Sequence, residues 1–312
     1  MKFGIFCVAV FATVSLFGAD ANLMIAINGA ALNAHPQVTS LRNWLDSKFA
    51  ASGRKSIADQ IAEENLDETL LNSRVTFYCD TNTIDPFAPE IPAANAVAII
   101  DTPDGKAPAL FAAIRNRLKL KNEKQNSDSN TIPQEVYGVA NGAKVTLRLN
   151  SASQIQGQLG EAFSLPLDLA KINPILTLAA KSNRLFSVAF AVPPTEANAN
   201  TPALPIQDIK FVVIAVENTL PEATIALEGE FANNNAAAQA QGMMELLLMG
   251  IQQNQSIDNR FFKNINRNIN DNKLTYTRKI DADFVGALRD SVSGKLEQFT
   301  IIKNVPTGPN AE

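Results

Sequence analysis

The sequence predicts an α+β fold in which helices cover a mainly antiparallel sheet, arranged as a tandem duplication of one unit. Short apolar runs typical of strands alternate with amphipathic patterns typical of helices along the chain. The pair Asn141-Gly142 separates two strand-like runs, which is the signature of a tight hairpin between antiparallel strands. No glycine-rich turn opens a predicted helix, which disfavours a doubly wound dinucleotide-binding fold.

Residues 1–21 are predicted to be a secretory signal peptide. Lys2 precedes an apolar run over residues 3–17, and small residues at Ala19 and Ala21 suit signal peptidase cleavage. The run is shorter than the roughly 20 residues that a membrane-spanning helix needs. We therefore expect a periplasmic or secreted protein with no membrane span after signal removal. The alternative is an uncleaved segment that anchors the chain.

The first unit is predicted to cover residues 22–160. Pro36 is favourable in the first turn of a helix, and apolar residues follow it at helical spacing. Ser151 is predicted to cap a closing helix that carries Ile155 and Leu159. The other predicted elements are strands 23–27, 75–79 and 95–100, helices around 57–61, 66–71 and 110–118, loop 81–92, and hairpin 135–149.

The second unit is predicted to cover residues 161–303, followed by a disordered tail over residues 304–312. Apolar residues spaced four apart, from Ile257 to Ile269, predict a helix. Asp281 is predicted to cap a later helix. The other predicted elements are strands 185–191, 211–216, 224–230, 274–276 and 299–302, and an apolar helix over 236–251.

The duplication rests on a shared order of elements and on a constant offset of 129 positions between the two units. At this offset Lys144 falls on Lys273 and Thr146 falls on Thr275. Both units then show a strand, a long helix, a further strand and a capped helix in the same order. The alternative is one continuous α+β domain whose internal likeness is fortuitous.

The composition disfavours most familiar catalytic designs and predicts no cofactor or metal. Beyond the predicted signal there is one histidine, His35, and one cysteine, Cys79. Zinc sites need several such ligands. A serine triad would have to use His35, for which a helix-capping or surface role is expected. Cys79 follows strand-like residues and is expected to be a buried structural thiol.

Carboxylates remain the candidate catalytic groups. Asp80 and Asp85 follow one predicted strand, and Asp101 and Asp104 follow the next. If these strands are neighbours, the loops could bind a divalent cation or supply a general acid and base. The alternative for Asp104, which lies in a Pro-Asp-Gly sequence, is ordinary turn chemistry.

Two helical patterns offer binding surfaces. Residues 243–249 contain three methionines and three leucines, which predicts a core helix; the alternative is a methionine-rich face for adaptable binding. Arg260, Lys263 and Arg267 line the polar side of the next predicted helix. They are expected to be solvated, with a weak anion-binding or glycan-facing surface as the alternative.

These observations predict an exported, non-catalytic binding or assembly protein of the bacterial cell envelope. Its partner would be an envelope protein or a glycan. The net charge of −4, with both signs interspersed, disfavours binding to nucleic acid. Two alternatives stay open: a hydrolase that uses Asp80, Asp101 and Asp104, and a sensor domain tethered to the membrane by an uncleaved signal.

Overall fold

The computed structural model describes residues 23–51, 53–56, 59, 68–80, 95–120, 122–124, 134–140, 143–160, 165–167, 172, 174–191, 209–253 and 258–303. The predicted signal peptide, loop 81–92 and tail 304–312 lie outside these residues. Most of the predicted helix around residues 57–61 does so as well.

The strands form one continuous sheet of twelve, in the order β11-β12-β10-β9-β8-β1-β2-β3-β7-β6-β5-β4. Each neighbouring pair is antiparallel, which confirms the predicted sheet type. The strands are β1 Leu23–Asn28, β2 Arg74–Asp80, β3 Asn95–Asp101, β4 Asn122–Lys124, β5 Gln134–Ala140, β6 Ala143–Ser151, β7 Gln154–Leu159, β8 Arg184–Ala191, β9 Ile209–Glu217, β10 Thr224–Phe231, β11 Asn266–Asn270 and β12 Lys273–Lys279.

Helices are interspersed with these strands, as the α+β prediction requires. They are α1 Gly29–Ala34, α2 Pro36–Ala51, α3 Glu68–Leu71, α4 Ala107–Arg117, α5 Pro174–Ala179, α6 Asn234–Gln253 and α7 Ala282–Lys303, with a 3-10 helix at Asn259–Phe262.

Helices cover both faces of the sheet. Successive side chains of a strand point to opposite faces, so Met24 and Ile25 of β1 mark the two sides. On the Met24 face, Leu176 and Ala179 of α5 pack into the cluster that contains Met24 and Tyr78. On the Ile25 face, α4 packs against β6 and β7 at one end and α6 packs against β10 and β12 at the other.

Strands β1 and β8, the first strands of the two predicted units, pair with each other in the middle of the sheet. A duplicated unit is not confirmed. At the offset of 129, β7 falls on the start of helix α7. In addition β12 pairs directly with β10, whereas β7 separates β6 from β3. The boundary at residues 160/161 stays a prediction.

The helix predicted after Ser151 is wrong, because residues 154–159 form strand β7. Ile155 pairs with Ile100 of β3 and with Leu149 of β6. The Ser151 hydroxyl accepts a hydrogen bond from the Ser153 amide at 3.2 Å, so it closes a turn and caps no helix. A spacing of four residues fits one face of a strand as well as one face of a helix.

The helix predicted over residues 257–269 is wrong for the same reason. The chain forms the short 3-10 helix and then edge strand β11, whose five residues are all exposed. Asp271, at a φ of 53°, and Asn272 make the tight turn into β12. The strand predicted at residues 299–302 is also wrong, since these residues continue helix α7. Strand propensity is a weak preference that the surrounding structure can override.

Candidate functional site: the exposed apolar half of helix α6

Helix α6 is anchored to the sheet through its first half. The Asn233 side chain caps it by accepting a hydrogen bond from the Ala236 amide at 3.0 Å. Ala236 and Ala237 are buried in a cluster with Leu274 and Tyr276 of β12. Small side chains at these positions let the helix approach the sheet closely.

The second half of α6 exposes a cluster of large apolar side chains. Leu246 is 66% exposed, Leu247 58% and Met249 49%. Only the opposite side of the helix is anchored there, through Met244 and Leu248, which pack against the buried cluster. The prediction of a core helix is therefore wrong for the outward side of this half.

We call residues 243–251 the α6 patch. An open apolar depression of about 440 Å³ lies along it, lined by Met243, Leu246, Leu247, Gly250 and Ile251. A Cβ atom added at Gly250 would meet no other atom within 4 Å, so the surface there is unobstructed. Contiguous exposed apolar patches on a folded protein usually mark interaction sites.

The patch carries very little charge. Glu245 is the one charged residue of helix α6, and its carboxylate pairs with Arg267 of β11 at 3.1 Å. This pair connects α6 to the edge strand β11. Burial raises the pKa of the Tyr276 hydroxyl beneath the helix, and the nearby Glu245 carboxylate adds to the increase.

The structure does not bring the predicted acidic residues together. In the antiparallel pair β2–β3, Asp80 lies opposite Asn95 and Asp101 lies opposite Arg74. The backbones of Asp80 and Asp101 are therefore at opposite ends of the pair, roughly 20 Å apart at about 3.4 Å per residue. Antiparallel neighbours place their carboxyl ends at opposite edges of a sheet, so two acidic residues that each follow such a strand do not meet.

The remaining acidic candidates give no assembled site. The exposed Asp101 carboxylate accepts a hydrogen bond from Gln154 Nε2 at 2.8 Å, and Asp104 is exposed in the turn before α4. Asp85 lies outside the described residues. Within the described ranges, no group of three or more His, Cys, Asp or Glu side chains is placed to hold a metal ion. The catalytic role of Asp80, Asp101 and Asp104 stays a prediction.

His35 is buried at 2% exposure, so the surface role expected for it is wrong while the capping role is confirmed. Its Nδ1 accepts a hydrogen bond from the Gln37 amide at 3.3 Å at the start of α2. Its Nε2 lies 3.2 Å from the carbonyl of Thr219 in the β9–β10 connection. His35 thus joins two distant parts of the chain and has a structural role. Cys79 is also buried, as predicted.

The basic residues of the predicted polar face lie on different elements and are neutralised. Arg260 pairs with Asp258 and Asp290, and Arg267 pairs with Glu245. Hydrogen bonds from Arg260 lower the pKa of Asp258. Lys263 pairs with Asp283 at 3.5 Å. These contacts leave the three cations without the open arrangement that a glycan- or anion-binding face would need.

Comparison with known proteins gives little further information. No family model matches the chain, and no curated protein matches it significantly. "Structure of crystal form III of TP0453" is 9% identical with a TM-score of 0.45, and the alignment covers 84% of this chain and 92% of that one. "Structure of crystal form IV of TP0453" is also 9% identical, with a TM-score of 0.43 and coverage of 84% and 90%. TM-scores below 0.5 establish neither a shared fold nor a shared function.

Proposed function

We propose that the protein is a non-catalytic binding or assembly component of the cell envelope, and that the α6 patch is its contact surface. The exposure of Leu246, Leu247 and Met249 carries this proposal. Burial of apolar surface is worth about 25 cal/mol per Å², so covering these side chains would stabilise a complex. Methionines in the patch add side chains that adapt to a partner's shape.

The chemistry of the patch supports binding over catalysis. Its lining residues are all apolar and offer no nucleophile, acid or base. The separation of Asp80 from Asp101 weighs against the alternative of a hydrolase with a joint acidic site. Export remains part of the proposal and rests on the signal predicted over residues 1–21. Within the described ranges, no helix is both long and apolar enough to cross a bilayer.

Site-specific photo-crosslinking in the cells that make the protein tests this proposal. A photoreactive residue at Leu246 should give a covalent adduct with a protein of the exported fraction, because this side chain is exposed in the patch. The matched control is Ala238, which is exposed on the anchored half of the same helix. Equal yields at the two positions, or an adduct at neither, would contradict the proposal.

We propose further that the two units arose by duplication. Each predicted unit starts with three consecutive paired strands, β1-β2-β3 and β8-β9-β10, followed by a helix on the Ile25 face. Superposition of the β1–α4 and β8–α6 segments in an experimental structure tests this. If the strands and helices of the two segments follow the same order but do not superpose, the result would count against duplication.

A further inference from the structure

We propose that the partner of the α6 patch is the same patch of a second copy of the chain, packed antiparallel about a two-fold axis at Leu246. This inference rests on the proposed function and names its partner. The observation behind it is that one strip on the exposed side of α6 has the same residue types at equal distances before and after Leu246.

The symmetry follows from the spacing of residues on a helix. Positions three, four and seven residues from a given residue lie on the same face of the helix. At each of these spacings, the residues before and after Leu246 are of the same type. The pairs are Met243 and Met249 at three, Gly242 and Gly250 at four, and Gln239 and Gln253 at seven.

The symmetry is confined to one strip of the exposed side. Leu247 and Ile251, which also line the depression, correspond to Glu245 and Gln241 and lie beside this strip. Met244 and Leu248 pack towards the sheet, so the symmetric strip lies on the outward side of the helix. Six of the seven are exposed, and Met243 is partly buried.

A two-fold axis makes this pattern self-complementary. In an isologous dimer, a residue that precedes the axis on one helix faces the residue equally far beyond it on the other. Leu246 would then meet Leu246, and Met243 would meet Met249 of the second copy. Gly242 would face Gly250, where the absence of side chains permits close approach of the two backbones.

The same arrangement gives an apolar centre with a polar rim, which is the usual anatomy of a protein interface. Leucine and methionine occupy the centre. Gln239 would face Gln253 at each end, and paired carboxamides can donate and accept hydrogen bonds reciprocally. The contact spans about 21 Å, at about 1.5 Å per residue.

Charge is compatible with self-association. Glu245 is already paired with Arg267 in each copy, and the two-fold axis would place both pairs on the same side of the interface. Each Glu245 carboxylate keeps the Arg267 guanidinium group of its own copy as partner, so each pair carries no net charge at the interface. Helices that lie on anionic lipid carry lysine and arginine on their polar flank, and α6 has neither. These features favour a second copy over a lipid surface.

Disulfide trapping of the purified full-length protein tests the register. Leu246→Cys lies on the axis and should crosslink with itself under mild oxidation. Met243→Cys and Met249→Cys should each fail alone but crosslink when mixed, because in an antiparallel pair they face each other. Cα atoms more than about 7 Å apart cannot be bridged, so the pattern is specific. Ala238→Cys is the exposed control.

A contact made by one pair of helices buries less surface area than the roughly 1,200 Å² typical of stable interfaces. We therefore expect a weak dimer. Sedimentation between about 1 µM and about 1 mM, a range matched to weak association, should show a monomer–dimer equilibrium. Leu246→Lys should raise the dissociation constant of the dimer at least tenfold. Mixing Leu246→Lys with Leu246→Glu should restore association through opposite charges on the axis.

The outcomes separate this inference from the proposed function. A protein that stays monomeric at about 1 mM, with Leu246→Cys crosslinking no better than Ala238→Cys, overturns the dimer. If photo-crosslinking at Leu246 in cells then still captures a different protein, the binding function stands without the dimer. Binding to vesicles of phosphatidylcholine and phosphatidylglycerol, without self-crosslinking, would also overturn the second copy as partner. An absence of any adduct overturns both proposals.

Discussion

Two buried polar side chains, His35 and Arg184, hold positions within the folded chain that apolar residues usually occupy. Arg184 donates to the Ala179 carbonyl at 3.0 Å and to Glu228 at 2.6 Å. His35 bonds to the Gln37 amide and lies next to the Thr219 carbonyl. Buried polar groups are tolerated when they are hydrogen-bonded, so the value of each residue lies in the partners that it satisfies.

Replacement of His35 should therefore destabilise the fold. His35→Ala removes the cap of α2 and leaves the Thr219 carbonyl without this partner, so we expect a loss of about 1–3 kcal/mol in the free energy of unfolding. His35→Asn should recover about 1 kcal/mol, because asparagine is a good helix cap. Urea unfolding measures both. If His35→Ala changes the free energy of unfolding by less than about 0.5 kcal/mol, the buried His35 side chain does not contribute measurably to stability.

The exposure of Leu246 predicts that it contributes little to stability. Leu246→Gln should change the free energy of unfolding by no more than about 0.5 kcal/mol. The matched Leu110→Ala removes a side chain of α4 that is only 1% exposed and should cost about 2–5 kcal/mol. Thermal unfolding of the two variants makes the comparison. A large loss in Leu246→Gln would mean that the patch is part of the core.

Asp281 predicts a pH dependence of stability. Its carboxylate caps α7 by accepting a hydrogen bond from the Phe284 amide at 2.9 Å, and this bond lowers the pKa of Asp281. A lowered folded-state pKa stabilises the fold above the unfolded value near 4, and this stabilisation is lost as the pH falls through the folded value.

Asp281→Ala should lose about 1 kcal/mol at pH 7, whereas Asp281→Asn should keep most of the cap. The free energy of unfolding of the natural protein should exceed that of Asp281→Asn at pH 7, and this difference should decrease between about pH 5 and pH 2. Denaturant unfolding across this range gives the measurement. An advantage that grows on acidification would reverse the assigned sign.

The hairpin β11–β12 turns at Asp271, whose backbone adopts a positive φ of 53°. Aspartate tolerates this conformation, glycine prefers it, and β-branched residues rarely adopt it. Asp271→Val should therefore cost about 1–3 kcal/mol. Asp271→Gly should cost nothing measurable. Equal stability of the two variants, measured by urea unfolding, would show that the turn relaxes without strain.

The sequence predicts elements well where a local signal is unambiguous. Ala140 pairs with Ala143, so β5 and β6 form the predicted antiparallel hairpin, and Asp281 caps α7 as predicted. The predictions fail for β7 and β11, where residues spaced four apart fit both a helix and a strand. Only the pairing of each segment with its neighbours resolves that ambiguity, and pairing is a property of the assembled sheet.

The candidate site was predictable only in part. The composition of residues 243–249 marks a methionine-rich helix, and binding by its face was one of two interpretations. Which side of α6 is covered depends on where β10 and β12 lie beneath it, and the chain pattern alone does not contain that information. Likewise, the distance between Asp80 and Asp101 follows from the direction of β3 relative to β2.

Across the whole molecule, the β1–β8 pairing joins the two predicted units into one sheet. Met24 is fully buried in a cluster that extends from Tyr78 and Val97 to Ala189 and Val213. Met24→Ala should cost about 2–5 kcal/mol. It should reduce amide exchange protection in β3 and β9 alike, as hydrogen exchange can measure. Loss of protection in one of these strands alone would show that the units unfold independently.

The two ends of the sheet decide what kind of assembly the chain can form. Open edges invite endless strand-by-strand growth, and short edges with charged side chains oppose it. Here the terminal strands are β4, with the sequence Asn-Glu-Lys, and β11, with Asn-Arg-Asn-Ile-Asn. Neither is a good template for a fibre. The proposed contact between two α6 helices would instead be complete with one partner, so the assembly would stop at two copies.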